Sequence, residues 1–261
     1  ARGTPGVTTM TTKRRTILAG LPAAALARPT LAQEAWPTRP VRIIVGFAAG
    51  GGTDITTRAL APRLQAILGQ PIVIENRPGG GGWPATEQVT RAAPDGYTLM
   101  MGTISSLVIA PIMTAPAFAA EAELTPIGQS VDVLNILVVP PDRPWRNAAE
   151  LVAAARARPA TLAYGTSGVG AAGHLAGALL DRMAGIETIH VPYRGGGQLI
   201  TDILSGKVDF SFATAATTIP HIEAGRLRAL AVPTARRSVI VPDIPTVPAA
   251  ANLPGFEVGN W

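Results

Sequence analysis

The residues best placed to do chemistry here are small and hydroxyl-bearing and sit in glycine-rich loops, the first of which is Gly50-Gly51-Gly52-Thr53-Asp54. It follows the apolar run Val41-Arg42-Ile43-Ile44-Val45-Gly46-Phe47 and precedes Ile55, Ala59, Leu60, Leu64 and Ile67, which recur at helical period up to Gly69. This pattern predicts a buried strand, a tight turn, and a helix opening at Thr53 as N-cap with Asp54 in its first turn. Glycines permit positive φ and leave no Cβ between a ligand and the backbone. A helix N-terminus with free N–H groups and the positive end of its dipole is an anion site. The anion is a phosphate or a carboxylate. No Lys follows to complete G-x-x-x-x-G-K-[ST], and Gly50, Gly52 and Ile55 satisfy only the first two positions of G-x-G-x-x-G, so a nucleotide is not singled out. The same glycines would also serve a plain strand-to-helix turn.

Four further loops share this character: Arg77-Pro78-Gly79-Gly80-Gly81-Gly82, Gly102-Thr103-Ile104-Ser105-Ser106, Gly165-Thr166-Ser167-Gly168-Val169-Gly170 and Arg194-Gly195-Gly196-Gly197. Ligands of open α/β sheets bind beyond the carboxyl ends of strands. Five such loops predict a cleft lined with backbone amides and hydroxyls, which suits a binder of small anions better than an acid–base enzyme. No catalytic set assembles: there is no H-E-x-x-H, no G-x-S-x-G and no pair of carboxylates at informative spacing. His174, His190 and His221 are too scattered to read as metal ligands, and are expected to make polar contacts at helix or strand ends. No metal and no cofactor are expected.

Of the 261 residues 47% are apolar, enough for a large core, and the length suggests one large or two modest domains. The net charge of +5 comes from the amino terminus, because residues 1–32 carry Arg2, Lys13, Arg14, Arg15 and Arg28 and no acid. Removing these five from 22 basic residues leaves 17 against 17 acidic ones. The body is neutral and aromatics are only 5%, so neither a basic patch nor a stacking platform points to nucleic acid. The absence of Cys excludes disulfides, zinc-thiolate sites and thiol nucleophiles.

From Met10 the chain reads as an export signal: Lys13-Arg14-Arg15, the apolar run Thr16 to Ala27, then Arg28-Pro29-Thr30-Leu31-Ala32 as cleavage region. Residues 1–32 are therefore expected to be upstream residues plus signal, with Gln33 first in the mature, periplasmic protein. The apolar run is too short to span a membrane. Arg14-Arg15 resembles a twin-arginine signal, although Lys13 precedes the pair and Ile17 stands where such signals favour Phe.

Positioning these loops falls to alternating apolar runs and helical stretches. Strands are expected over 41–47, 71–75, 97–102, 134–139, 161–164, 187–191, 208–212 and 228–232. Helices are expected over 53–68, 84–93, 147–157, 171–184, 197–205 and 215–224. Asn147 with Glu150 makes a capping box, and Gly185, Gly206 and Gly225 sit where helices stop. Several strands are apolar throughout, as parallel strands covered on both faces are, so the fold class is α/β with mainly parallel sheets and helices on both faces. Pro140-Pro141-Asp142-Arg143-Pro144 marks one boundary; Pro233, Arg236-Arg237 and the series Pro242, Pro245, Pro248 mark another. The expected division is a discontinuous first lobe of 33–136 and 234–261 and a second lobe of 137–233, with the ligand cleft between.

Val45-x-Phe47 with Gly50–Asp54, Glu75-Asn76-Arg77-Pro78-Gly79, Ala92-Ala93-Pro94-Asp95-Gly96-Tyr97-Thr98-Leu99, His174-Leu175-Ala176-Gly177, His190-Val191-Pro192-Tyr193-Arg194-Gly195, Gly225 to Val232 and Pro242-Asp243-Ile244-Pro245-Thr246-Val247 stand in this order. In these motifs and their spacing, residues 36–261 resemble the Bug-type receptors, the extracytoplasmic solute-binding proteins of tripartite tricarboxylate transporters. The resemblance implies a two-lobe, type II periplasmic-binding-protein fold and no enzymatic activity. It implies two kinds of partner: a small carboxylate ligand (dicarboxylate, tricarboxylate, acidic amino acid or aromatic acid) and the membrane permease subunits. Carried over by position, Gly51, Gly52, Thr53, Thr103, Ser105, Ser167 and Gly168 would contact the ligand, and Tyr193 follows the next family motif. Asp54 either braces the glycine turn or faces the cleft and pairs with a ligand ammonium.

The chain departs from the family in having Ala48-Ala49 for a proline pair, Trp83 for an Asn, and Gly196-Gly197-Gln198 for Thr-Ala-Pro. Ligand specificity is expected around Trp83 and Gly196 to Gln198. Relatives continue past Trp261, so the first lobe is expected to be truncated. Two other readings are an intracellular α/β enzyme holding a phosphorylated cofactor on Gly50–Thr53, and a ligand sensor for a membrane signalling protein.

Overall fold

The computed structural model describes residues 36–114 and 120–261, with residues 1, 3 and 6; the expected export signal and residues 33–35 lie outside the described residues. In chain order the elements are β1 (Val41–Val45), α1 (Gly52–Leu68), β2 (Ile72–Asn76), a 3-10 turn (Gly80–Gly82), α2 (Trp83–Thr90) and β3 (Thr98–Met101). A π-helical turn (Ser105–Ile109) then runs into α3 (Ala110–Thr114), followed by α4 (Ala120–Glu123) and β4 (Asn135–Val139). The remainder is α5 (Ala148–Ala157), β5 (Ala163–Thr166), α6 (Ala172–Ala184), β6 (Ile189–Pro192), α7 (Gly196–Leu204), β7 (Ser211–Thr214), α8 (Ala215–Glu223), β8 (Arg228–Ala231) and α9 (Val247–Ala251).

The first sheet has the order β2-β1-β3 and is parallel, with Val41 opposite Ile72 and Arg42 opposite Thr98. Central β1 buries Val41, Ile43, Ile44 and Val45, which is why its sequence is apolar almost without alternation. Its carboxyl end delivers the chain straight into the glycine turn before α1.

The second sheet joins β7-β4-β8 to the parallel pair β5-β6 through a bridge between Tyr164 and Phe210, reinforced by the Gly165 N–H donating to Phe210 O at 3.0 Å. The spatial order is thus β6-β5-β7-β4-β8. Side chains of β4 alternate between two cores. Leu137 and Val139 join Leu151, Leu180, Phe210 and Phe212 under α5 and α6, whereas Ile136 and Val138 join Leu199, Ile203 and Val208 under α7 and α8.

The strands are mainly parallel, as expected, and β4, antiparallel to both β7 and β8, is the exception. A strand covered on both faces is apolar throughout whichever way its neighbours run, so composition does not encode direction. Residues from 234 onward were assigned to the first half, yet Val247, Leu253 and Phe256 are buried in the same core as Leu137 and Phe212. The Phe212 and Phe256 rings stack at 6.1 Å, and the Val258 N–H donates to Pro233 O at 2.8 Å. The chain turns toward the first half only at its last residues, where Asn260 O accepts from Val133 N–H and Trp261 O from Ile104 N–H. Prolines mark where regular structure stops, not which core the next apolar residues enter.

Local signals held. Glu150 N–H donates to Asn147 Oδ1 at 2.9 Å, while the Glu150 carboxylate accepts from the Arg146 N–H at 2.7 Å, closing the box that starts α5. Gly185 ends α6 at φ 59°, in the left-handed region that glycine occupies without strain.

Candidate ligand-binding site

Helix α1 begins two residues earlier than its sequence suggests: the N-cap is Gly51, at φ −81° and ψ 165°, and Thr53 is already helical. Asp54 explains the shift. Its carboxylate, 2% exposed, accepts from the Gly50 N–H at 2.9 Å, from Arg58 Nε at 3.0 Å and from Asn76 Nδ2 at 2.9 Å. Asn76 Nδ2 also donates to Phe47 O at 2.9 Å, tying the end of β2 to the end of β1. Burial alone would raise the Asp54 pKa, but the bonds from Arg58, Gly50 and Asn76 outweigh it and hold the carboxyl below its ordinary value. The acid therefore anchors the turn from behind and leaves the Thr53 side free.

That side opens on a cavity of about 50 Å³. Phe47, Gly51, Gly52, Thr53, Thr103 and Ser105 line it from the first half. From the second half come Asn135, Ser167, Ala171, Ala172, Gly173, Gly196, Leu199, Phe212, Ala213, Thr214 and Thr217, with Val133 and Asn260 between. Four helices thus present their N-termini to one space: α1 through Gly51–Thr53, α6 through Ala171–Gly173, α7 through Gly196, and α8 through Thr214 and Thr217. None of the four has a side-chain cap. Each N-terminus carries roughly half a positive charge together with amides that the helix itself does not satisfy. No charged side chain lines the cavity among the described residues. Such an arrangement can hold an anion without a charged side chain.

The two sides meet backbone to backbone. A Cβ on Gly51 would lie 3.1 Å from Gly196 N, and one on Gly52 2.5 Å from Thr214 Oγ1. The Ala48 N–H also reaches Arg194 O at 3.4 Å. Here glycine serves close approach, as the loops require.

Of the residues expected to bind, Gly51, Gly52, Thr53, Thr103, Ser105 and Ser167 come together on the cavity. Asp54, Gly168 and Tyr193 do not line it. Gly168 is turned into its own loop, its N–H donating to Thr166 Oγ1 at 3.3 Å and its carbonyl accepting from the Ala171 N–H at 3.2 Å. Tyr193 packs with Leu199 and donates its hydroxyl to Asp202; burial first, and then that carboxylate, push the phenol up to about 12. Its place directly after a family motif did not reveal which way the ring turns. Trp83, expected near the far end of the ligand, opens α2 and does not line the cavity, whereas Gly196 does.

His174 and His190 make polar contacts at the start of a helix and in a strand, as expected. His174 and His190 stack at 4.2 Å; His174 Nδ1 accepts from the Gly170 N–H at 3.1 Å, and His190 Nε2 lies 2.7 Å from Thr166 Oγ1. Burial, with a smaller contribution from the neighbouring imidazole, lowers His190 to about 4, and burial lowers His174. Two neutral rings thereby brace the loop that carries Ser167. His221 lies in the last turn of α8.

Sequence reasoning missed Asn135, the Ala171–Gly173 turn, Thr214 and Thr217. Signals for two of them were present: Asn135 is the polar residue heading an apolar strand, and Thr214 follows a strand end just as Thr53 does.

Residues 56–261 match the model of the tripartite tricarboxylate transporter family receptor. A protein of Pseudomonas sp. (strain P51), the UPF0065 protein of the tcbD-tcbE intergenic region, is 34% identical over 250 residues, covering 95% of this chain and 74% of that protein. The chain belongs to this receptor family. Its structure is similar to the periplasmic binding protein BugD, with a TM-score of 0.81 and 34% identity over 87% of this chain and 75% of BugD. Two further similar structures are R. palustris Rpa4515 with adipate (TM-score 0.79, 35% identity, 87% of this chain and 76% of that one) and Rhodopseudomonas palustris MatC with bound malate (0.79, 31%, 86% and 76%). The fold is accordingly the two-lobe periplasmic-binding-protein fold, and the family receptors are solute-binding proteins. No helix among the described residues is long and apolar enough to cross a membrane.

Proposed function

We propose that this receptor captures a small carboxylate-bearing metabolite in the periplasm and delivers it to the membrane permease subunits of a tripartite tricarboxylate transporter. One observation carries the reading: four uncapped helix N-termini converge on an uncharged cavity between the halves of the molecule. A carboxylate bound there neutralises the dipoles and accepts from first-turn amides. Charge-assisted hydrogen bonds are worth about 1.5–3 kcal/mol each, so three to five of them reach the roughly 8 kcal/mol of a micromolar complex. The adipate and malate of Rpa4515 and MatC support the same ligand class.

The residues we assign to the ligand are Gly51, Gly52, Thr53, Thr103, Ser105 and Ser167, joined by Asn135, Thr214 and Thr217. Residues up to about 133 form the first lobe and 135–258 the second in this reading, and the basic, then apolar amino terminus directs export. An enzyme holding a cofactor on Gly50–Thr53 is less well supported, because that loop packs against Gly196 and faces a lining without titratable side chains to move a proton.

Thermal shift and isothermal titration against dicarboxylates, tricarboxylates, acidic amino acids and aromatic acids test the proposal. At least one carboxylate is expected to raise the Tm and to bind at micromolar Kd or tighter. Stabilisation by nucleotides or sugars alone would overturn it.

A further inference from the structure

Asn135 opens β4, whose other residues, Ile136 to Val139, are completely buried and apolar. Its side chain is only 4% exposed, lines the cavity, and has its Oδ1 buried with no hydrogen-bond partner. Across the ladder it stands opposite Thr214, the N-cap of α8, so the amide sits at the wall where the helix dipoles converge. An apolar residue would pack there without leaving a polar atom unsatisfied. A buried amide in that position is destabilising unless something that enters the cavity bonds to it.

The chemistry of that partner follows from its surroundings. The helix N-termini supply donors, which a carboxylate satisfies, but with Oδ1 turned to the cavity as it is here a carboxylate oxygen, which only accepts, cannot bond to it. An ammonium would donate, yet it would meet the positive ends of four helices with no acid on the lining, since Asp54 is engaged with Arg58 and Asn76. A hydroxyl is neutral and both donates and accepts, so it pairs with the amide whichever way Oδ1 and Nδ2 are turned. A methylene in the same place pairs with neither end.

We infer that Asn135 is a specificity-determining residue that selects carboxylates carrying a hydroxyl beside the carboxylate over the same carboxylates without it. This rests on the carboxylate reading above and narrows it to hydroxy acids. Sites built to bond a hydroxyl reject the analogue that lacks it, because a buried polar group is then left unpaired.

The test measures Kd by isothermal titration for pairs that differ in one hydroxyl: malate and succinate, 2-hydroxyglutarate and glutarate, mandelate and phenylacetate. Aspartate and glutamate serve as the ammonium members. Wild type is expected to bind the hydroxy acid of at least one pair about tenfold or more tighter than its parent and its amino analogue. Asn135→Leu, close in size and without polar atoms, is expected to abolish that preference by weakening the hydroxy acid about tenfold or more beyond any change in the parent. Should Asn135→Leu not fold, Asn135→Ala, which only removes atoms, makes the same comparison. The inference is overturned if wild type does not distinguish the pairs, if the amino acids bind best, or if the substitution weakens both members equally. In each of those cases carboxylates still bind, so the receptor reading survives; if none binds to wild type, both fall together.

Discussion

The Gly50 N–H donates to Asp54 Oδ2 at 2.9 Å, so the one carboxylate at the opening of α1 is fixed to the loop that builds the site and does not face the cavity. Arg58, one helical turn on, closes the arrangement as an i,i+4 ion pair with Asp54 at 3.0 Å. An acid that would repel a bound anion thus becomes the means of holding the anion-binding turn in shape.

Asp54→Asn should therefore cost stability more than affinity. Replacing the carboxylate weakens its bonds to Gly50, Arg58 and Asn76, and we expect a loss of about 1–3 kcal/mol, seen as a Tm several degrees lower. Carboxylate Kd should move by less than about threefold, with no selective loss for amino acids. The folded pKa lies below the unfolded one, so the stabilisation is present above about pH 3.9 and is lost as pH falls through the folded value. The gap in stability between wild type and Asp54→Asn should accordingly be full at pH 7 and close in strong acid. Urea unfolding across that range is the measurement.

Tyr193→Phe separates packing from binding. Its hydroxyl donates to Asp202 on α7, so removing it should leave carboxylate Kd within about twofold. Stability should fall by about 0.5–1.5 kcal/mol, the usual value of one hydrogen bond. A tenfold loss of affinity would place the phenol in the site after all.

Much of this architecture was legible because it follows from local pattern. The apolar run 41–47, the capping box at Asn147 and the stop at Gly185 each involve neighbours in sequence, and each appears where expected. Strand direction in β4 and the destination of Val247 and Phe256 were not legible, since both depend on which distant partner an apolar side chain meets. The site shows the same split. Glycine loops at strand ends located Gly51 to Thr53 and Ser167, because their role is carried by the backbone. Tyr193 and Asp54 required knowing where a side chain turns, and Asn135 required recognising that one polar residue heading a buried strand needs a reason.

Acid should loosen the second half through its stacked imidazoles. His190 in the folded protein titrates at about 4, against about 6.5 unfolded, so between these values the unfolded chain binds more protons. Stability is then complete above about pH 6.5, declines as pH falls toward 4, and is not lost further by this group below that. His190→Gln, which cannot charge, should flatten part of that slope when unfolding free energy is measured from pH 7 to 4. An unchanged slope would assign the acid sensitivity to other groups.

The last expectation concerns the glycine seam. A Cβ on Gly52 would stand 2.5 Å from Thr214 Oγ1 and 2.9 Å from its Cβ and Cγ2, too near for the two sides to keep their present distance. The helix itself accepts alanine readily, because Gly52 is its first residue and alanine is the better helix former. Gly52→Ala thus leaves α1 intact and pushes α1 and α8 apart. Since both N-termini must reach one small anion, a displacement of about an ångström lengthens bonds that weaken steeply beyond their optimal distance. We expect carboxylate Kd to rise at least tenfold, equivalent to about 1.4 kcal/mol, while the Tm without ligand falls by no more than a few degrees. Thr214→Ser in the same chain removes Cγ2 and should recover part of the affinity. If Gly52→Ala instead binds as wild type does, the contact between the loops is not what sets the site, and the convergence of α1 and α8 on one ligand would have to be abandoned.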